Sequence, residues 1–233
     1  MNTFPMTDST TKILKNFSGI SSSVVLKAGR SQRTVSGTRS VMAIAEFKDA
    51  WPQTTPVYAL PELLANLSAY QSPTLTFEDT QFVIRGANSP SHVEYPYSDA
   101  SVIPAVPEKE FDLSNPVAVF TLPDAAVGEI KKFASINNLP VVRLDADGDT
   151  KSVVVKPYDD KNPATRSYSY PVQAKDILSL SSDAKKSISI RFEHFQLLMD
   201  GGYTVSVGPW NYLHFAHQTE PVSYFVAVVP AKN

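Results

Sequence analysis

The chain has 233 residues and no cysteine, with 21 Lys and Arg against 23 Asp and Glu, 42% hydrophobic and 10% aromatic residues. That is enough for one large or two ordinary domains of a folded, soluble type, while the missing cysteines exclude disulfides, thiolate metal sites and thiol catalysis. No apolar run approaches the ~18–20 residues that span a bilayer, and a net charge of −2 excludes a uniformly basic surface for gripping nucleic acid. If nucleic acid is the partner, the basic residues must gather on one surface while acids cover the rest. The start MNTFPMTDST lacks the basic residues and apolar stretch of a signal peptide.

Four times along the chain a short amphipathic helix is followed by two or three alternating strands, with helix starts near Ser9, Pro61, Pro123 and Arg191. The spacing, roughly fifty to seventy residues, is long for a solenoid repeat. The first helix, Thr10–Ile20, is capped by Asp8 or Ser9, whose oxygens accept from free backbone N–H groups. Thr10, Ile13, Leu14, Phe17 and Ile20 fall on one side of its wheel, and Asp8, Lys12, Lys15 and Asn16 on the other. Strands Val24–Lys27, Arg33–Val35 and Ser40–Phe47 follow, with a turn around Gly29.

The second unit reads as strand Pro56–Ala59, helix Pro61–Tyr70 and strands Thr74–Phe77, Phe82–Arg85 and His92–Tyr97. The third has strand Val117–Thr121, helix Pro123–Ile136 and strands Val141–Leu144, Ser152–Lys156 and Arg166–Val172. The fourth has strand Ser187–Arg191, helix Phe192–Met199, a turn at Gly201–Gly202 and strands Tyr203–Val207, Tyr212–Ala216 and Ser223–Val229. Between the second and third units lies Ser98–Asn115, rich in proline and acids and without periodicity. The predicted organisation is an N-terminal domain at 1–99, a connector at 100–115 and a C-terminal domain at 116–233. The fold class is α+β: two similar domains of antiparallel sheet with two helices each.

Most motifs that suggest chemistry have a plainer reading. Asp145, Asp147 and Asp149 resemble a calcium loop, but Thr150 and Lys156 stand where glycine and a bidentate glutamate belong, leaving an Asp-Gly hairpin turn. His214 and His217 are three apart on a predicted strand, so they point to opposite faces. No nucleophile elbow, phosphate loop or dinucleotide fingerprint is present. No catalytic residue, metal site or cofactor is therefore predicted. Lys12 and Lys15 on the first helix, and Lys131 and Lys132 on the third, occupy equivalent places in the two halves. They are the candidate basic surface, with Lys27 and Arg30 (and Arg33 and Arg39) on a nearby hairpin.

The stretch TTKILKNFSGISSSVVLKAG, Thr10–Gly29, resembles the first helix and strand of the sliding clamps of T-even-type bacteriophages. The resemblance continues through Tyr95-Pro96, the connector ending in Pro116-Val117 and the helix with Glu129-Ile130-Lys131, and weakens after Ser182. The segments 36–56, with Trp51, and 209–217 depart from it. It implies the DNA clamp fold, closed as a homotrimeric ring that encircles duplex DNA without sequence preference and tethers the replicative DNA polymerase. It makes Lys12, Lys15, Lys131, Lys132, Lys27 and Arg30 DNA-facing. It maps a partner-peptide pocket onto Ile103, Pro104, Val106 and Pro107 with Val229 and Pro230. Subunit contacts are expected from edge strands bearing Val93, Tyr95 and Tyr97 in the first domain and Tyr168 and Tyr170 in the second, Pro96 and Pro171 suiting an edge. A clamp loader and late-transcription factors are further implied partners. No membrane is implied, and the location is the cytoplasm of the infected bacterial host. The competing readings are a ring-forming phage structural protein and a metal-dependent enzyme using Asp145–Asp149 or His214.

Overall fold

The computed structural model describes residues 2–159, 161–162 and 168–230, in two compact units, Met1–Glu108 and Lys109–Asn233. The first unit runs β1 (Asn2–Pro5), α1 (Asp8–Ile20), β2 (Val24–Leu26), β3 (Gly29–Val35), β4 (Val41–Trp51), β5 (Thr55–Val57), α2 (Leu60–Ser68), β6 (Thr74–Phe77), β7 (Gln81–Arg85) and β8 (His92–Pro96). An antiparallel sheet has the order β1-β6-β7-β8, while β2 pairs with β5 and β3 with β4. The turn into β3 rests on Gly29, whose φ of 109° a side chain would oppose.

The second unit runs β9 (Ala118–Leu122), α3 (Asp124–Ile136), β10 (Val141–Asp147), β11 (Ser152–Tyr158), β12 (Tyr170–Pro171), β13 (Ile177–Leu180), β14 (Lys185–Arg191), α4 (Phe192–Gln196), β15 (Tyr203–Val207), β16 (Tyr212–His217) and β17 (Val222–Ala227). Its strands order as β12-β11-β10-β14 and as β13-β9-β15-β16-β17, all antiparallel. The alternating burial of β9, β11 and β15 is the period of two expected where one face of a sheet meets the core.

The helices fall where expected, with different ends. Thr7, and not Asp8 or Ser9, caps α1, its hydroxyl accepting from Thr10 N–H at 3.2 Å. Asp8 instead sits in the first turn, where the helix dipole favours an acid. The last predicted helix is cut to Phe192–Gln196, because Leu197 and Leu198 donate three residues back, to His194 and Phe195, in a tightened turn. Of the predicted strand 166–172, only Tyr170–Pro171 is strand, and 166–167 lie outside the described residues. β1 and β13 have no counterpart in the sequence reading, and in both cases the pairing strand supplies the order.

Trp51, in a segment that departs from the clamp pattern, is the centre of the first unit's core. It is 1% exposed, and its indole meets Phe4 at 4.8 Å and Phe77 at 5.2 Å edge to face, with Phe47 and Phe82 slightly further out. Its Nε1–H donates to Thr55 Oγ1 at 3.2 Å. Trp51→Ala is expected to cost about 3–5 kcal/mol of unfolding free energy, read as a fall in the urea midpoint; an unchanged midpoint would contradict this placement.

Candidate functional site

The buried stripe of α1, formed by Thr10, Ile13, Leu14, Phe17 and Ile20, turns Lys12 and Lys15 outward, and both are exposed. On α3 the stripe is Ala126, Val127, Ile130 and Ala134. There the two lysines part company. Lys132 is exposed, whereas the Lys131 side chain is only 18% exposed. Its Nζ donates to the Leu198 carbonyl at 2.7 Å and to Asp200 at 2.9 Å. Lys131 thus ties α3 to the chain leaving α4, holding a carbonyl that this helix end leaves unpaired.

Lys27 and Arg30 are placed elsewhere. They line a groove of about 590 Å³ in the first unit, together with Arg33, Ile103, Pro104 and Val106. Lys27 pairs with Glu108, whose carboxyl its hydrogen bond and charge hold below the usual range. Arg30 Nε donates to the Phe47 carbonyl at 3.0 Å, and Arg33 to the Glu108 carbonyl at 2.9 Å. The basic hairpin is therefore a wall of the connector groove. Pro107 does not line it, although its carbonyl is 3.5 Å from Arg33 Nη1.

Val229 and Pro230 line a different groove, of about 380 Å³ in the second unit, with Val141, Tyr158, Ile188 and Trp210. Of the six residues expected to form one pocket, three thus line the first groove and two the second, each groove within its own unit. Trp210 lies over Gly208, where a Cβ would stand 2.6 Å from the indole, so glycine is required.

β8 and β12 are outer strands of their sheets. The tyrosines expected at these edges are not freely exposed. Tyr95 is 8% exposed and its hydroxyl donates to the Ala59 carbonyl at 3.0 Å, while that of Tyr97 donates to the Glu78 carbonyl. Val93 shares their face of the strand, by alternation, and is half-buried. The face of β8 that remains exposed carries His92, Glu94 and Pro96. Tyr168 stacks on Phe133 of α3 at 4.5 Å and donates to Glu129 at 2.7 Å. Burial and this hydrogen bond to a carboxylate push its phenol up to about 12. Tyr170 is half-buried on β12.

No family model matches the chain. It is 24% identical over 224 residues to the sliding clamp of Vibrio phage KVP40, covering 94% of this chain and 96% of that protein. Over nearly its whole length the chain is similar to a phage sliding clamp. Its fold matches proliferating cellular nuclear antigen (PCNA) from Entamoeba histolytica with a TM-score of 0.74 at 12% identity, over 97% of this chain and 98% of that one. A second match is A. fulgidus PCNA with the C-terminal region of FEN-1 bound, with a TM-score of 0.71 and 16% identity, covering both chains fully.

The three carboxylates of the 145–149 loop are each engaged separately. Asp145 bonds Lys156, Arg143 and Ser187; Asp147 accepts from the turn N–H groups of Asp149 and Thr150; Asp149 pairs with Lys185. Burial would raise the Asp145 carboxyl, but the Lys156 and Ser187 hydrogen bonds and the Arg143 and Lys156 charges outweigh it and leave it below the usual range. Among the described residues no three His, Asp or Glu side chains come together in a way that could hold a metal ion. Trp210 and Tyr158 belong to the second-unit groove and escaped sequence reading. The signal for Trp210 was the Gly-Pro-Trp run, whose glycine admits the ring.

His214 is 9% exposed, packs against Phe225 at 4.9 Å and has a buried Nδ1 with no partner. Burial holds its imidazole down, from 6.5 to about 4. The unfolded chain therefore takes up this proton first. Stability is full above about pH 6.5 and is lost as the pH falls toward 4. Between pH 7 and pH 5, wild type is expected to lose about 2 kcal/mol more than His214→Leu, measured by urea titration at each pH. Equal losses would show that His214 does not titrate in this window.

Proposed function

We infer that this clamp is a non-enzymatic processivity factor: three copies close into a ring, duplex DNA threads it without sequence preference, and the ring tethers the replicative DNA polymerase. The observation that carries this reading is the likeness to a phage sliding clamp along 94% of the chain. The geometry supports it. Exposed lysines stand on the outward side of the first helix of each unit, Lys12 and Lys15 on α1 and Lys132 on α3, which suits contact with phosphates regardless of sequence. A ring retains DNA by topology, so weak contacts suffice and a net charge of −2 is compatible with the task. Lys131 serves mainly to hold α4, and Lys27 and Arg30 serve the connector groove.

Ring closure is assigned to the β8 edge of one copy meeting the β12 edge of the next, a head-to-tail contact whose rotation closes after three copies. The domains are the two compact units joined through the connector at 100–115. Partner tails are assigned to the grooves at Ile103–Val106 and at Val229–Pro230. The A. fulgidus PCNA carrying the C-terminal region of FEN-1 supports a C-terminal tail as the occupant. A clamp loader and late-transcription factors are further partners. The work is done in the cytoplasm of the infected host; among the described residues no helix is long and apolar enough to cross a membrane.

Replacing Lys12, Lys15 and Lys132 together by glutamate is expected to shorten retention on nicked circular DNA at least about tenfold at low salt, with thermal unfolding unchanged. Retention equal to wild type would overturn the DNA-facing assignment. Light scattering across a concentration series is expected to approach three times the 25.5 kDa chain mass and to fall on dilution. A monomer at every concentration would rule out the ring.

A further inference from the structure

From Lys109 to Pro116 every side chain is exposed except that of Phe111. An aromatic ring turned inward within a polar, proline-containing stretch is an anchor, since it is the least exposed side chain of the stretch. The Phe111 ring lies parallel to that of Phe225 on β17, with centroids 3.7 Å apart and planes 10° apart. It also meets Tyr212 of β16 edge to face at 5.0 Å. Tyr212 holds the same stretch a second time, its hydroxyl donating to the Asp112 carbonyl at 2.6 Å. On its far side Tyr212 lies parallel to Trp210, at 5.5 Å and 11°. Trp210 in turn is a wall of the groove at Val229 and Pro230. One unbroken series of ring contacts therefore runs from the connector into that groove, entirely within the second unit.

We propose that Phe111 is a positioning residue for the Val229–Pro230 groove: docked on Phe225 and Tyr212, it fixes Tyr212 and through it the Trp210 wall, so that connector docking and groove occupancy favour each other. The proposal rests on the reading of that groove as a partner-tail site. Trp210 has Gly208 beneath it and Tyr212 beside it, so the freedom of Tyr212 sets the freedom of the indole. Release of Phe111 frees the face of Tyr212 and loosens its bond to Asp112. A tail that packs on Trp210 then has to order the wall itself, and linkage requires that the tail stabilise the docked connector by the same factor.

The test uses the full-length protein at ring-forming concentration. Trp51 and Trp210 are the two tryptophans, and Trp51 is 1% exposed, so acrylamide quenching of fluorescence reports on Trp210. Phe111→Ala is expected to raise both the quenching and the hydrogen exchange of residues 109–116. It should also weaken binding of a synthetic peptide of the polymerase C-terminus about five- to tenfold, the scale of one lost aromatic pair. Faster exchange with unchanged quenching and unchanged peptide affinity would overturn the proposal. Phe111→Leu, which keeps an apolar anchor but cannot stack, is expected to fall between the two, and it decides the matter if the alanine variant does not fold. If wild type binds no peptide, or Val229→Asp leaves binding unaltered, the groove reading fails; the quenching comparison still decides whether Phe111 governs the Trp210 wall.

Discussion

Burial of one stripe on each helix decides the chemistry of the stripe opposite. On α1, Ile13, Leu14 and Phe17 are essentially inaccessible, each worth about 1.5–3 kcal/mol by burial. Turning the helix by one residue would expose part of that stripe and carry a lysine ammonium inward, where an unpaired charge costs several kcal/mol. The helix therefore has one orientation, and Lys12 and Lys15 point outward because Ile13 and Leu14 cannot. The same rule holds on α3, with an instructive exception at the stripe's border. Lys131 is close enough to the buried side for its flexible stem to lie along the unit and its head to reach Leu198 and Asp200. Position on the helix wheel separates inside from outside; at the border, what stands nearby decides.

The connector is governed by the opposite condition, because it buries few of its apolar side chains. Pro104, Pro107 and Pro116 also remove backbone donors. Such a segment is held by single contacts. In the first unit these are Ile103, 6% exposed, the Lys27–Glu108 pair and the Arg33 bond to the Glu108 carbonyl. In the second they are Phe111 and the Tyr212 bond to Asp112. An exposed ion pair such as Lys27–Glu108 adds little on its own, so Ile103 and Phe111 carry most of the attachment. Sparse attachment is also what leaves a groove under or beside the strap.

Much of this was legible in the sequence, for identifiable reasons. The four helices announced themselves through leucine, isoleucine and phenylalanine at helical spacing, and several strands through strict alternation, as in Thr74–Phe77 and Tyr203–Val207. The likeness to phage clamps along Thr10–Gly29 was equally visible. What escaped depends on partners distant in sequence. β1 is ordered by β6 and by Phe4 meeting Trp51, and nothing in NTFP alone predicts it. The inward turn of Tyr95 and Tyr97 depends on acceptors at Ala59 and Glu78. Trp210 and Tyr158 join one groove wall only through sheet pairing, since β11 reaches β14 through β10. Lys27 and Arg30 read as free cations until Glu108 and the Phe47 carbonyl were found beside them.

The diversion of Lys131 bears on the proposed DNA-encircling ring. Neither α2 nor α4 contains a lysine or arginine, and α3 keeps one lysine turned to solvent where α1 keeps two. For a protein that binds by charge alone this would be too little, since each phosphate contact contributes to an affinity that falls steeply with salt. A ring needs the reverse balance. Retention comes from closure, and every added contact would slow sliding while doing nothing to prevent escape. For the proposed ring, a channel lined unevenly by a few lysines is therefore sufficient. Other charges are engaged within the units: Lys131 at the end of α4, Lys27 and Arg33 at Glu108 of the connector, and Arg30 at the Phe47 carbonyl.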